Sequence, residues 1–410
     1  MLRLSHLGVL SACLLGCSTA SMDEPEPAPA PEVTTPAEPT NTRFVNVTAQ
    51  RVPSNLLNGP TMDVEWADAE GDGDLDLFVA VEFGLNRLLL WNGTQFVHQP
   101  DAFPALAYDS EDIALGDFDR DGDVDVVFVS EDNPTNEYYL NDGAGAFTPA
   151  PSGFPVGGES NAVIAHDFDA DGDLDLLVGN NGQDELLLNN GAGVFEVMTE
   201  THLPPRDDVT QDVEAGDIDG DGDLDLIIAN EDANGLLLND GTGRFTDVSD
   251  RLPARANEEV TREADFGDVD GDGDLDLYFA NFGSPATNAT SDLQDRLLLN
   301  DGAGTYTDAT NRLPSLAQRN IDVDMLDVDG DGDLDLLVAT FAPSNGPRVF
   351  LNDGTATFTE ATNEVFDVGG LVGSFACIDV EYAEVDGRRL LHVTNYFGED
   401  LLLEALATDG

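Results

Sequence analysis

Basic residues are scarce in this chain of 410 residues: 16 Lys and Arg stand against 82 Asp and Glu, a formal charge of −66. Phosphate-rich partners are held by clustered Lys and Arg, so this balance argues against DNA, RNA and anionic lipid. Cysteine is almost missing. Cys13 and Cys17 lie near the N-terminus and Cys377 stands alone, which leaves no disulfide framework and no zinc site. Cys377, in the strand-like stretch SFACIDVEY, reads as a small buried apolar residue. The five histidines, His6, His98, His166, His202 and His392, are scattered. His166 precedes Asp167 but has no visible Ser or Cys partner, and there is neither a phosphate-binding Gly loop nor a zinc-type His cluster. Long apolar runs are missing as well. LGVLSACLLG is too short to span a bilayer, and no other stretch comes closer. The charge is no sign of disorder, since 41% of residues are hydrophobic and recur in register.

What the chain has in abundance is one acidic loop, written six times at starts 49, 50, 50, 51 and 59 residues apart. The first copy carries Asp68, Glu70, Asp72, Asp74 and Asp76. The second carries Asp117, Asp119, Asp121, Asp123 and Asp125, and the third Asp167, Asp169, Asp171, Asp173 and Asp175. The fourth has Asp217, Asp219, Asp221, Asp223 and Asp225. The fifth has Asp268, Asp270, Asp272, Asp274 and Asp276, and the sixth Asp327, Asp329, Asp331, Asp333 and Asp335. Five carboxylates in nine residues repel one another unless a cation sits among them. Hard oxygen donors at alternate positions around a Gly are a calcium recipe. Side chains at positions one, three and five point inward, Gly at position six allows the bend, position seven offers its carbonyl, and the Asp at nine closes the cage. Magnesium demands a stiffer octahedral shell, and softer metals lack Cys or His here. About six calcium sites are expected. Plain turn chemistry favours Asp and Gly too, but it does not require five acids in register.

A fixed period of this size means a solenoid, propeller or array. The apolar stretches after the loops, such as LDLIIAN and LDLYFAN, are too short for an EF-hand's exit helix and read as strands. Four strands per repeat follow: in the fourth, DVEAG, the metal loop, LDLIIAN, GLLLN, an NDGTG turn and RFTDVS. We label them a to d. A seventh unit, IDVEYAEVDGRRLLHVTNYFGEDLLLE, has Arg388 and Arg389 in place of the acids and stops before a strand d. The missing strand stands at the other end, where TRFVNVTAQRVP matches GRFTDVSDRLP of the fourth repeat. The first strand is therefore expected to complete the last unit, closing a ring and removing exposed sheet edges. The fold class expected is all-β: a seven-bladed β-propeller of four-stranded blades with the N-terminal strand closing the last blade.

These repeats resemble the FG-GAP/VCBS family, which includes the integrin alpha-subunit propeller. The resemblance covers Arg43 to about Ala405 and implies calcium in the a–b turns. Carried over by position, the ligands are Asp68, Glu70, Asp72 and Asp76 with the backbone oxygen of Asp74, and likewise in the other five loops. The seventh unit is expected to bind no metal. At the N-terminus, Leu14-Leu15-Gly16-Cys17 resembles the lipobox of bacterial lipoproteins. That implies a signal peptide over 1–16, lipid on Cys17 and, with Ser18 following, an outer-membrane destination in the bacterial envelope. An ordinary secretory signal is the alternative. Residues 17–42 then form a Pro-, Ala- and Glu-rich tether and residues 43–410 the propeller.

In such a ring the a–b and c–d turns share one face, and the b–c and d–a connections share the other. The second face varies. Candidate ligand residues there are Phe83, Asn86, Asn133, Glu231, Asn234, Phe282, Phe341, Tyr396 and Phe397, since variable loops on a rigid scaffold carry binding. Packing between blades is the competing account of the aromatics. Strand a also carries acids two apart, among them Asp63/Glu65, Asp212/Glu214 and Asp322/Asp324. They line either an acidic channel or a structural ring of carboxylates bonded to neighbouring backbone. The function expected is a calcium-binding, lipid-anchored, monomeric module that takes a protein or glycan ligand and is not an enzyme. A cation-dependent enzyme acting on a polysaccharide in the channel, or a purely structural envelope protein, remains open.

Overall fold

The second strand of every repeat is apolar without alternation, and such a strand must be covered on both faces. In the computed structural model, which describes residues 43–54, 56–131, 135–255, 259–283, 293–315, 318–341, 346–367 and 376–406, strand b of each of the six loop-bearing blades is buried over its first six positions. Asp225–Asn230 of blade 4 is typical. Strand d, at the rim, is short and mostly exposed. The expected seven-bladed propeller is what the chain forms. Blade 4 runs Asp208–Gly216, Asp225–Asn230, Gly235–Asn239 and Phe245–Asp247 as antiparallel neighbours.

Seven hydrophobic clusters hold the ring, one at each seam between neighbouring blades. Ile227, Ala229 and Leu236 of blade 4 face Ala264, Leu277 and Phe279 of blade 5. Leu77, Val79 and Leu89 of blade 1 face Val385, Leu390 and Leu402 of blade 7. Blade 7 consists of Val380–Val385, Arg388–Val393 and Leu401–Leu406, and its fourth strand is Arg43–Asn46. Arg43 pairs with Leu406 and Asn46 with Leu403, so the ring closes as the sequence implied.

One element went unforeseen. After strand d the chain takes a single helical turn in several blades, among them Thr199–His202, Ser249–Arg251 and Thr362–Val365. The hydroxyl that opens each turn accepts the N–H of the second residue of strand c: Leu186 to Thr199 at 3.0 Å, Leu236 to Ser249 at 3.0 Å and Val349 to Thr362 at 3.1 Å. Among the described residues no helix is long and apolar enough to cross a membrane. The proposed signal, Cys17 and the tether lie outside the described residues, as does Asn133.

Candidate functional site

The six acidic loops share one geometry. Position one accepts the amide of the Gly at position six at 2.8–3.1 Å, from Asp68–Gly73 through Asp327–Gly332. Position five accepts the amide of position seven at 2.9–3.1 Å. The Gly at six has φ between +91° and +101° throughout, where L-residues are strained. Position four is left-handed as well, which the sequence reading missed. Arg120 and Ala170 take φ of 60° and 59° there, where the other loops have Gly.

The loop folds positions one, three and nine together. Single oxygens of Asp117, Asp119 and Asp125 lie within 4.8 Å of one another, as do those of Asp167, Asp169 and Asp175, and of Asp217, Asp219 and Asp225. Buried Oδ1 atoms of Asp117, Asp219 and Asp270 have no hydrogen-bond partner. An unsatisfied buried carboxylate oxygen costs free energy, and a divalent cation in the cage relieves it. The donors are all carboxylates, which suits a hard cation.

Position nine does more than close the cage. In all six loops burial pushes this carboxyl up to about 7. One of its oxygens accepts the amide of position two and the other the first amide of the c–d turn. For Asp225 these are Ile218 at 3.1 Å and Asn239 at 2.8 Å. Position seven points away from the cage. Asp123, Asp173, Asp223, Asp274 and Asp333 lie against a c–d turn Gly, so that a Cβ on Gly241 would stand 2.6 Å from the Asp223 carboxylate. Gly there, with φ +74°, is required twice over.

The Asn that begins the c–d turn latches blade to blade. Asn239 Nδ2 donates to the Phe168 carbonyl of blade 3 at 2.8 Å and to Leu224 of its own blade at 3.1 Å. Asn141, Asn189, Asn300 and Asn352 reach the position-two carbonyls of Ala69, Phe118, Ile218 and Val269 in the same way. Blade 7, without a cage, has a two-residue turn at Asp386-Gly387, and its Arg389 donates to the Val328 carbonyl at 3.0 Å. Blade 1 has Trp91 at the Asn position, and Trp91 Nε1 donates to Asp386 of blade 7 at 3.0 Å. The latch therefore runs round all seven seams.

A second ring of latches lies on the opposite face, and two expected ligand residues belong to it. Asn86 accepts the Val81 amide at 3.1 Å and donates to Ser110 of blade 2 at 3.0 Å. Asn234 accepts the Asn230 amide and donates to Thr261 of blade 5 at 2.9 Å. Their amides join neighbouring blades, a structural role for Asn86 and Asn234 that the sequence reading did not foresee. Three acids of strand a also bond to the next blade. Asp112, Asp212 and Asp322 accept the amides of Val163, Ala264 and Val380 in the next blade at 2.7, 3.0 and 2.8 Å. These three contacts are of the structural kind, and the three carboxylates line a central cavity of about 140 Å³.

The aromatics behave differently. One position at the C-terminal end of strand b takes the same register in all seven blades: Glu82, Glu131, Asn181, Glu231, Phe282, Phe341 and Tyr396. The amide of each donates to a carbonyl near the start of its own strand a, as Glu82 does to Pro60 at 2.9 Å and Tyr396 to Ala376 at 3.0 Å. Phe282 and Phe341 have ring centroids 5.8 Å apart, Phe341 and Tyr396 5.9 Å, and Tyr396 and Phe397 5.0 Å. These four expected residues thus form one continuous arc over blades 5 to 7. The rings touch across blade borders, while Phe397 is 68% exposed and Phe83 63% exposed. Glu231 is exposed and pairs with Arg262 at 3.1 Å.

The FG-GAP-like repeat model matches residues 68–128, 117–178, 167–228, 217–279, 286–338 and 327–382, and five of these matches begin at the first Asp of an acidic loop. No curated protein sequence matches the chain. Among solved structures, an Agrocybe aegerita lectin that recognises non-reducing terminal N-acetylglucosamine is 20% identical, with a TM-score of 0.46 over 75% of this chain and 82% of that one. BBS1N, solved in complex with ARL6DN, is 12% identical, with a TM-score of 0.55 over 90% of this chain and 98% of that one. YCF48 from Cyanidioschyzon merolae is 11% identical, with a TM-score of 0.51 over 87% of this chain and 97% of that one. The latter two support the propeller fold and nothing finer. The repeat matches span well over half of the sequence, and the chain belongs to the FG-GAP-like repeat family.

Proposed function

We propose that this chain is a calcium-stapled, non-catalytic binding propeller that takes a protein or glycan ligand on the face of its b–c connections. The observation that carries the reading is the aromatic arc Phe282–Phe341–Tyr396–Phe397 beside the central cavity, on a face whose loops vary while the opposite face repeats one motif. Exposed aromatic surface on a rigid scaffold is costly in water and marks contact sites.

Calcium is the cation that fits six all-oxygen loops. Positions one, three, five and nine would hold it with the carbonyl of position seven, and its charge neutralises a cluster that otherwise repels itself. The lipobox-like Leu14-Leu15-Gly16-Cys17 supports presentation of the monomer on a bacterial envelope, by lipid on Cys17 and a tether over 17–42. Labelling of the wild type with a fatty-acid analogue, lost in Cys17→Ala, tests that part.

The binding part is tested with a glycan array and a pull-down from envelope extract, using wild type and the double variant Phe83→Ala/Phe397→Ala. Retention of a defined ligand by the wild type and its loss in the variant are expected. If neither assay returns a ligand that the variant loses, the face is not a binding site and the propeller is structural.

A further inference from the structure

We infer that the occupant of this face is a basic, Lys- or Arg-bearing segment of a protein partner; the inference rests on the binding reading above and names its ligand. The seven equivalent positions at the C-terminal end of strand b divide by chemistry. Blades 5, 6 and 7 present Phe282, Phe341 and Tyr396, whereas blades 1, 2 and 4 present Glu82, Glu131 and Glu231. One half of the mouth is therefore an aromatic wall and the other an acidic one. The halves meet where Tyr396 hydrogen-bonds Glu82.

Aromatic faces beside carboxylates are the setting in which guanidinium and ammonium groups are held, by the ring quadrupole on one side and charge on the other. The chain's own cations already use it. Arg319 lies 4.8 Å from the Phe282 centroid. Arg262 lies 5.2 Å from the same centroid, pairs with Glu231 at 3.1 Å and is, among the described residues, the one basic residue lining the central cavity. These guanidiniums take up the Phe282 end of the arc and leave the blade 7 to blade 1 end.

At that open end two blades carry turns closed by the same hydrogen bond. In Glu82-Phe83-Gly84 and Tyr396-Phe397-Gly398 the Gly amide donates to the carbonyl three residues back, Val81 at 3.2 Å and Asn395 at 3.0 Å. The turn holds Phe83 and Phe397 out in solvent, 63% and 68% exposed. Phe83 does so with φ of 52°, a backbone conformation that bulky L-residues avoid and that tends to persist at functional positions. A neutral glycan can stack on the rings and donate hydroxyls to the flanking acids but gains nothing from the net charge, and an acidic glycan or an acidic protein is repelled by a chain of charge −66. A basic peptide segment satisfies both the rings and the charge.

The test is fluorescence anisotropy on the calcium-loaded full chain, with a labelled Lys/Arg-bearing octapeptide and its Glu-bearing counterpart. Phe83→Ala/Phe397→Ala preserves net charge and alters only exposed side chains, so its fold is checked by melting and its peptide affinity read directly. Saturable binding of the basic peptide, at least tenfold weaker in the double variant, and no binding of the acidic one are expected. Equal affinity for wild type and double variant means that the peptide is held by bulk charge alone and overturns the inference. A neutral glycan that binds and is lost in the same variant, with no aromatic-dependent peptide binding, overturns the inference and leaves the binding face standing. No variant-sensitive ligand of either class removes both.

Discussion

Asn239 shows how much one side chain does in this molecule. Its Nδ2 serves the carbonyls of Phe168 and Leu224, its Oδ1 accepts the Gly241 amide at 3.2 Å, and its own amide binds Asp225. Asn239→Ala leaves two carbonyls at a buried seam without a donor, and each unsatisfied buried group costs about 1–3 kcal/mol. Urea unfolding is therefore expected to show a loss of roughly 2–4 kcal/mol, whereas a change within about 0.5 kcal/mol, the range of ordinary surface sites, denies the latch. The position-nine aspartates give a second residue-scale expectation. Their folded-state carboxyls, at about 7, titrate above the ordinary value of 3.8. In chelator the stability they confer is fully present below the unfolded value and is lost as pH rises through 7. With a cation bound the same carboxylates are charged and paired, so cation binding strengthens as they ionise. The gap between melting temperatures with calcium and with chelator is expected to widen from pH 5 to pH 8, as thermal scans at matched ionic strength will read. A constant gap places the cation elsewhere.

At the scale of elements, the sequence exposed whatever repeats along the chain and hid whatever is made between repeats. Blade strands were legible because strand b is unbroken apolar sequence and strand c ends at an Asn/Asp-Gly turn. Ring closure was legible because RFVN matches a strand d. The latches were not, since Asn141 and Ala69 meet only across a seam and lie 72 residues apart. A signal was nonetheless present: the turn Asn recurs at one register in blades 2 to 6, Trp91 stands there in blade 1, and in blade 7 the latch passes to Arg389 on strand b. The latch role of Asn86 and Asn234 was hidden for the same reason, because a polar residue beside a variable loop looks alike whether it faces solvent or the next blade. The closing strand yields a test. Phe44 is 3% exposed and packs against Phe366 with centroids 6.1 Å apart. A chain lacking residues 1–47 loses that burial, worth about 1.5–3 kcal/mol for one such side chain, and bares the edge of Leu401–Leu406. An earlier melt and concentration-dependent association in size-exclusion chromatography are expected, with both reversed by a synthetic peptide of residues 42–53. A truncated chain that stays monomeric and melts like the full one shows that blade 7 does not depend on its borrowed strand.

For the whole molecule the governing quantity is charge. Thirty of the 82 acids sit in six loops on one face, with carboxylate oxygens inside 4.8 Å of one another. Ligand bound only to the native state stabilises it by mass action, by about 2.7 kcal/mol per site at a hundredfold excess over Kd. Several filled sites thus rival the roughly 5–15 kcal/mol that holds an ordinary domain together. A large fall in melting temperature with chelator is expected, with restoration by calcium in the millimolar range, given site affinities of about 10⁻⁴–10⁻³ M for extracellular modules. Nonspecific screening is the rival cause, and the two separate cleanly. At 1 M salt the Debye length is about 3 Å, so sodium chloride relieves repulsion wherever it acts but fills no cage. If the loops are cation sites, chelated protein in 1 M sodium chloride recovers only part of the lost melting temperature. Calcium at a small fraction of that ionic strength recovers all of it, and isothermal titration counts no more than six sites, because the Asp386-Gly387 turn of blade 7 offers none. Full recovery by sodium chloride alone reduces the loops to a charge cluster and removes the staple from the account of this fold.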